Sequence, residues 1–251
     1  MQHVLTLRKI FLIFGFALTA LGCDTDNAQL PNANKEVLAF QYSYTANGEL
    51  RTKSGFEYDS NGKITKISFY DANGELSGYA ELEYDSNGNE TKWSSYNANG
   101  NLLYITETEY DSEGNETKAN LFNYHNANVE LYAYLESEYD LKGNKTKLRA
   151  YTANGELSYY TEYEYDSNGN QTKYSEYATN GELYAYAECE YDSNGNITKI
   201  SDYNASGGEL FLMEYKYEYD SNGNITKESY TANGELYSYR VLLYKKIYEE
   251  T

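Results

Sequence analysis

Cysteine, proline and histidine are nearly absent from this chain of 251 residues, which has two, one and two of them respectively. Cys23 lies in an N-terminal segment with a role of its own, so Cys189 has no intramolecular partner and a disulfide cannot stabilise the fold. We expect Cys189 to be a small apolar side chain packed within a strand. The two histidines, His3 and His125, are too few for a histidine-based triad or a multi-histidine metal site.

Basic residues are also scarce, since 20 Lys and Arg face 39 Asp and Glu, which gives a net charge of −19. Removal of residues 1–22, which hold Arg8 and Lys9, leaves 18 basic side chains and a net charge of 18 − 39 = −21. A surface this acidic repels phosphate groups, so we expect neither nucleic acid nor anionic lipid faces as partners. The sequence also has no glycine-rich phosphate-binding loop.

A long apolar run occurs only near the N-terminus. Arg8 and Lys9 precede the uncharged segment Ile10 to Leu21, an order typical of an export signal. As a helix this segment would span about 18 Å, against roughly 30 Å for the hydrocarbon core of a bilayer. We therefore predict that residues 1–22 are a cleaved signal peptide rather than a membrane span.

The segment Thr19-Ala20-Leu21-Gly22-Cys23 resembles the lipobox of bacterial lipoproteins, with Ala20 in place of the usual leucine. The resemblance implies that Cys23 is acylated and becomes the new N-terminus, which would anchor an exported protein to a bacterial membrane at the periplasmic face or the cell surface. An ordinary signal peptide with an incidental cysteine is the alternative. Residues 23–36 are polar and predict a flexible tether.

The rest of the chain is a repeat with a period near 26 residues. A Tyr-Asp pair precedes a turn signal seven times, at Tyr58, Tyr84, Tyr110, Tyr139, Tyr165, Tyr191 and Tyr219. Between these pairs lies a second turn signal, of which Ala72 to Leu76 is an example.

Asn-Gly between alternating segments predicts a two-residue type I′ turn, because both central residues of that turn need positive φ. We count 15 turns from Asn47-Gly48 to Asn233-Gly234, one of them without glycine at 126–129. They predict an all-β fold of about 16 antiparallel strands in one meandering sheet over residues 37–246, with a tail at 247–251. The turn glycines are mostly 14 and 12 residues apart in alternation. Both intervals are even, so the two faces of every strand stay in phase. The difference of two residues between the intervals shifts the register at each repeat, so the sheet should coil or roll up.

Turn centres at Asn-Gly also predict the pairing register. Glu57 and Glu81 should both lie opposite Lys66, and Glu83 and Glu107 should both lie opposite Lys92. This leaves one charged face and one apolar face; the predicted apolar face includes Phe56, Tyr58, Thr65, Ile67, Phe69, Leu76, Ala80, Leu82 and Tyr84.

Tyrosine is unusually abundant, with 32 copies. Strand propensity and cross-strand packing account for most of them. Some should lie on the charged face beside glutamates and lysines, where they form a candidate surface for a glycan or a protein. These residues are Tyr79, Tyr132, Tyr134, Tyr160, Tyr184, Tyr186, Tyr237 and Tyr239.

Other interpretations fit less well. A membrane-spanning barrel would expose Thr91, Ser95, Ser137, Glu176 and Asp202 to hydrocarbon, and a propeller is a more remote choice.

The Asp-x-Asn-Gly-Asn turns lack the bidentate acid of a calcium loop. Because the carboxylates recur opposite lysines, they describe a solvated face rather than an acid and base pair, and we predict no enzyme, no metal and no cofactor.

The segment Tyr84-Asp85-Ser86-Asn87-Gly88-Asn89 resembles the YD, or RHS-type, repeats of bacterial surface and toxin proteins, and the resemblance extends over about Phe40 to Tyr244. It implies a coiled β-sheet scaffold. We expect a lipid-anchored envelope scaffold or adhesin-like binding module. The alternative is an accessory or remnant of an RHS-type toxin system, in which the sheet shields or neutralises a polypeptide cargo.

Overall fold

The computed structural model describes residues 36–125 and 128–246. The predicted signal peptide 1–22, the lipidation site Cys23, all of the tether but residue 36, and the tail 247–251 lie outside the described residues. No described segment forms a helix with the length and hydrophobicity needed to cross a membrane. The strands are β1 (Glu36–Thr45), β2 (Leu50–Tyr58), β3 (Ile64–Asp71), β4 (Leu76–Tyr84), β5 (Glu90–Asn97), β6 (Leu102–Tyr110), β7 (Glu116–His125), β8 (Asn128–Tyr139), β9 (Lys145–Thr152), β10 (Leu157–Tyr165), β11 (Gln171–Ala178), β12 (Leu183–Tyr191), β13 (Ile197–Asn204), β14 (Glu209–Tyr219), β15 (Ile225–Ala232) and β16 (Glu235–Lys246).

Each strand is hydrogen-bonded to its neighbours in sequence, and β1 also pairs with β16, so the strand order is that of a closed barrel. The predicted all-β meander of about 16 antiparallel strands is therefore confirmed, and closure between the first and last strands is an additional finding. Two compact units divide the described residues. One contains 111–118 and 133–213, and the other contains 36–110, the described part of 119–132, and 214–246.

The predicted register is confirmed in the strand interiors. Lys66 lies opposite Glu57 on one side and Glu81 on the other. Lys92 lies in the same way between Glu83 and Glu107. The alternation of charged and apolar faces follows directly from this pairing.

The predicted turn type is wrong at all but one of the described turns. In the turn after β2, the Gly62 N–H donates to the Asp59 carbonyl and the Asp59 N–H donates to the Lys63 carbonyl. Only the glycine has positive φ, at 82°. This is a three-residue loop made of a type I turn and a glycine bulge. Only Asn233-Gly234 has positive φ at both positions, as a type I′ turn requires.

A second irregularity explains why the register survives the wrong turn type. The three-residue loop sets Tyr58 opposite Ile64, but the next pair is Glu57 with Lys66, so Thr65 forms a bulge. This extra residue shifts the pairing by one position. The loop and the bulge together restore the register that a two-residue turn would give.

The aspartate at the start of each Asp-x-Asn-Gly turn stabilises the three-residue form, which also occurs where Ala178, without a side-chain acceptor, holds this position. Asp59 Oδ1 accepts hydrogen bonds from the backbone N–H groups of Asn61 and Lys63, at 2.9 and 2.8 Å. Such local bonds are the usual reason for aspartate at the first position of a type I turn. Asn97 and Asn204 make the same pair of bonds with an uncharged side chain.

Small side chains dominate the buried part of the apolar face. Ala80 and Ala187 have no exposed surface, and among the described residues no large side chain is fully buried. Cys189 is buried, as expected. Leu76, which was predicted to lie on the apolar face, begins β4 next to a turn and is 38% exposed. Close strand packing therefore depends on alanine, serine and threonine as much as on large apolar groups.

The tyrosine of the Tyr-Asp pair connects neighbouring strands. The Tyr84 hydroxyl donates to the Ile64 carbonyl at 2.8 Å, and the Tyr58 hydroxyl donates to the Leu38 carbonyl at 2.7 Å. The same bond recurs from Tyr110 to Glu90, Tyr139 to Glu116, Tyr165 to Lys145, Tyr191 to Gln171 and Tyr244 to Ile225. Burial is the main cause that raises the pKa of Tyr58 and of Tyr84 to about 12, so these hydroxyls stay protonated and can donate.

Candidate functional site

Five of the eight candidate tyrosines form stacks with a second tyrosine on the neighbouring strand. The ring centroids lie 4.7–4.9 Å apart and the planes differ by 10–18°. Each pair is directly opposite in the register. The pairs are Tyr44–Tyr239, Tyr79–Tyr96, Tyr134–Tyr151, Tyr160–Tyr177 and Tyr186–Tyr203.

A lysine ammonium covers the other side of the candidate ring in each stack. The Lys66 Nζ lies 4.5 Å from the centre of the Tyr79 ring, and Ser68, directly opposite Tyr79, is small enough to leave this space open. The equivalent contacts are Lys118 on Tyr134, Lys147 on Tyr160, Lys173 on Tyr186 and Lys227 on Tyr239, at 4.3–5.4 Å. Cation–π attraction stabilises this arrangement. These five rings therefore have a neighbour on each side.

The other three candidate tyrosines are not in such stacks. Tyr184 and Tyr237 are the bulge residues at the starts of their strands and are 38% and 57% exposed. Arg51 lies over the Tyr237 ring at 5.9 Å. The described side chains give the buried hydroxyl of Tyr132 no hydrogen-bond partner, and burial raises its pKa. The eight residues thus occupy three kinds of position rather than one uniform surface.

In the glutamate–lysine ion pairs of the charged face, the glutamate is the more exposed partner. In the Glu164–Lys173 pair the glutamate side chain is 67% exposed and the lysine 33%, and Glu190–Lys199 and Glu218–Lys227 show the same inequality. The ammonium groups of Lys173 and Lys227 lie over tyrosine rings, which hides part of each charge. Solvent and partners therefore meet carboxylates first. Arg149 pairs with Glu138 in the same way.

Stacking and acidic neighbours affect the second tyrosine of two pairs. Burial, followed by the charge of Glu81, raises the pKa of Tyr96. Burial, followed by the charge of Glu136, raises the pKa of Tyr151. Both side chains are therefore neutral phenols at physiological pH.

Sequence reasoning missed a partly buried ion pair on the apolar face. Glu228 lies opposite Arg240 in the register, and their charged groups approach to 2.5 Å. The Tyr230 hydroxyl donates to Glu228 at 2.6 Å, and burial is the main cause that raises the pKa of Tyr230. The equivalent positions in an earlier repeat are Ile67 and Ala80, which also pair. A charge at both positions of one pair is the signal that could have identified this cluster.

The turn carboxylates are occupied by their own backbone. Asp85 Oδ1 accepts from Asn87 and Asn89, and its Oδ2 accepts from the Asn89 side-chain amide. No group of three or more His, Cys, Asp or Glu residues placed to hold a metal occurs within 36–125 and 128–246. The turns thus serve the fold.

Comparison with known proteins places these features in context. Residues 191–236 match the family model described as RHS Repeat. No curated protein matches the sequence. A porin-like protein from Bacteroides uniformis has a similar fold, with a TM-score of 0.53 and 11% identity over 83% of this chain and 96% of that one. A porin-like protein from Bacteroides vulgatus has a TM-score of 0.50 and 14% identity, over 83% of this chain and 98% of that one.

The Tc holotoxin pore of Photorhabdus luminescens is a more distant match, with a TM-score of 0.23 and 14% identity. The match covers 83% of this chain and 16% of that one. The two porin-like structures show a likeness of fold.

Proposed function

We propose that this chain, an RHS-type repeat protein, is a non-catalytic binding module of the bacterial cell envelope that takes a protein partner with a basic surface on its charged face. The observation that carries the proposal is the unequal exposure of acids and bases on that face. Glutamates such as Glu164 project into solvent, whereas lysines such as Lys173 are partly covered. A net charge of −19 extends the attraction for a basic partner beyond contact distance.

The stacks favour a protein over a glycan as the partner. Sugar rings bind tyrosine through an open ring face, whereas Tyr160 has Tyr177 on one side and Lys147 on the other. The same holds for the other four stacked candidates. Tyr184 and Tyr237 are the most exposed of the eight tyrosines, and they supply aromatic contacts at the margin of the acidic surface.

Charge reversal tests the proposal with an oligolysine peptide as the probe. The double variant Glu164→Lys and Glu190→Lys reverses two exposed acids on the charged face, next to the Asp turns. The control, Glu156→Lys and Glu182→Lys, makes the same change in net charge at exposed turns on the opposite strand ends. We expect the first variant to bind about tenfold more weakly than the control, with affinity falling as salt rises. Equal loss in both variants, or tighter binding of a neutral cell-wall polysaccharide, would contradict the proposal.

The proposal also places the module on a membrane through an acyl chain on Cys23. Labelled palmitate should enter the wild-type protein and the Cys189→Ser control, and both should fractionate with membranes. Cys23→Ser should remove the label and release the protein. An unlabelled wild-type protein in the soluble fraction would rule out the anchor without affecting the binding test.

The second candidate function is an accessory of an RHS-type toxin system that shields a basic polypeptide cargo. The RHS Repeat match at 191–236 favours it. Under this alternative, a neighbouring basic polypeptide should co-purify with the chain and be protected from protease. Under the first proposal, a bound basic partner stays accessible to protease, because the carboxylates that hold it are exposed to solvent.

A further inference from the structure

The five stacked tyrosine pairs have a geometry that partner binding does not require. Each pair joins two adjacent strands, with ring centroids within 4.9 Å and nearly parallel planes. All ten side chains are partly exposed to solvent. The arrangement recurs at the same register position in different repeats. We propose that these pairs are oxidative cross-linking sites, at which two tyrosines combine into one dityrosine.

The oxidant is hydrogen peroxide acting through a haem peroxidase. The oxidant removes one electron and one proton from each phenol, so two hydrogen atoms and one peroxide give two waters and two phenoxyl radicals. A carbon–carbon bond then forms between the ring positions next to the hydroxyls. The two hydrogens displaced from those carbons move to the oxygens, which restores both phenols. The pair loses two hydrogen atoms in total and the peroxide is reduced to water.

Proximity restricts the reaction to these pairs. A radical on Tyr79 has the Tyr96 ring already in contact, so coupling is intramolecular and does not need diffusion. Forming the bond requires the rings to turn out of the stack, and the partial exposure of the rings leaves room for this movement. By contrast, Tyr215 and Tyr230 meet edge to face at 76° on the apolar face, and Tyr217 and Tyr219 lie 6.4 Å apart along one strand.

One pair has a special position in the topology. Tyr44 lies in β1 and Tyr239 in β16, and these strands close the hydrogen-bonded order. A bond between them would covalently fasten the first strand to the last, 195 positions apart. Cys189 is the only described cysteine and cannot form an intramolecular disulfide with another described residue. A tyrosine cross-link therefore supplies a covalent bond that the cysteines cannot.

The test treats the dilute, full-length protein with hydrogen peroxide and a haem peroxidase. Dityrosine fluorescence is recorded, and cross-linked peptides are identified by mass spectrometry. We expect monomeric products that have lost two hydrogens per linked pair, with links confined to the five stacked pairs. The Tyr44–Tyr239 link should make the denatured chain migrate faster on a gel. Tyr44→Phe keeps the stack but should abolish this link and the faster migration, while the other four links remain.

Two controls give every outcome a meaning. The same oxidation in urea should spread links over many tyrosines if the native stacks direct the reaction. Tyr237→Phe removes an exposed tyrosine outside the stacks and should leave all five links in place. The proposal is overturned if the native protein gives no intramolecular dityrosine, if its links match those formed in urea, or if they join Tyr215 to Tyr230 as readily as Tyr79 to Tyr96.

Discussion

The hydroxyl of Tyr84 donates a hydrogen bond of 2.8 Å to the backbone carbonyl of Ile64, twenty residues earlier in the chain. Tyr84 ends β4 and Ile64 begins β3, so the bond fastens the end of one strand to the start of its neighbour. The tyrosine of the Tyr-Asp pair makes a bond of this kind at Tyr58, Tyr84, Tyr110, Tyr139, Tyr165 and Tyr191. This hydrogen bond between neighbouring strands is the structural role of the tyrosine in the Tyr-Asp motif.

Tyr84→Phe should lower the free energy of unfolding by about 1 kcal/mol, because the ring is kept and a half-buried carbonyl loses its donor. The control Tyr237→Phe alters an exposed side chain and should change the same quantity by less than about 0.5 kcal/mol. Urea unfolding of both variants measures the difference. Equal effects would mean that the hydroxyl of the Tyr-Asp tyrosine has no special role.

Gly88→Ala should destabilise the protein more than Gly74→Ala. Both glycines have positive φ, at 89° and 83°, so alanine is strained at each by about 1 kcal/mol. At Gly88 the added Cβ would also lie 2.6 Å from Lys63 Nζ, which donates to the Gly88 carbonyl, whereas nothing lies within 4 Å at Gly74. Thermal unfolding of the two variants compares them. A larger loss at Gly74 would show that the contact between successive turns contributes nothing.

Acid should destabilise the protein through the turn aspartates. The side-chain amide of the asparagine four residues later is the main cause that lowers the pKa of Asp111, Asp140, Asp166 and Asp220, and for Asp85 the backbone N–H of Asn89 contributes most. A lowered folded-state pKa means that these groups stabilise the fold above their ordinary pKa, near 4, and that this stability is lost as the pH falls through the folded-state value.

The matched variant replaces these five aspartates with asparagine, which Asn97 and Asn204 show to be compatible with the same turn. Its unfolding midpoint should depend less on pH between about pH 5 and pH 2 than that of the wild type. All other side chains are the same in both proteins, so the difference isolates the turns. Identical pH profiles would show that the aspartates contribute no pH-dependent stability.

The partly buried Glu228–Arg240 pair should depend on both partners. Glu228→Ile alone leaves Arg240 without its carboxylate and should cost about 2 kcal/mol of unfolding free energy. Adding Arg240→Ala recreates the Ile67–Ala80 pair of an earlier repeat and should recover most of this loss. A double-mutant cycle by urea unfolding measures the coupling. Additive losses would contradict a coupled pair.

The strand order and register were predictable because Asn-Gly spacing and two-residue alternation recur in every unit. The turn type was not, since Asn-Gly occurs in both two-residue and three-residue loops. The same segment, Tyr-Thr-Ala-Asn-Gly-Glu-Leu, forms a three-residue loop after Thr45 and a two-residue turn at Asn233-Gly234. The bulge at Thr65 compensates for the extra residue in the loop. The predicted pairing of Glu57 with Lys66 is therefore correct although the predicted turn type is wrong. Closure depends on the pairing of β1 with β16, for example of Tyr44 with Tyr239, and no local sequence pattern encodes this pairing.

The candidate surface was predictable in placement but not in detail. Alternation put Tyr160 and Tyr186 on the charged face, yet their stacking partners, Tyr177 and Tyr203, become visible only when the register is applied to every tyrosine. Lysine contacts with the rings depend on side-chain rotamers, which sequence spacing does not specify. The Glu228–Arg240 pair departs from the repeat, so the repeat pattern does not predict it.

Closure of the sheet is tested most directly by hydrogen–deuterium exchange of β1. If β1 pairs with both β2 and β16, peptides within Glu36–Thr45 should be protected as strongly as those from β3, because their amides have partners on both sides. If the sheet is open, about half of the β1 amides should exchange as fast as in an unfolded chain, and the same should hold for β16. The first result would support the closed order, and the second would contradict it.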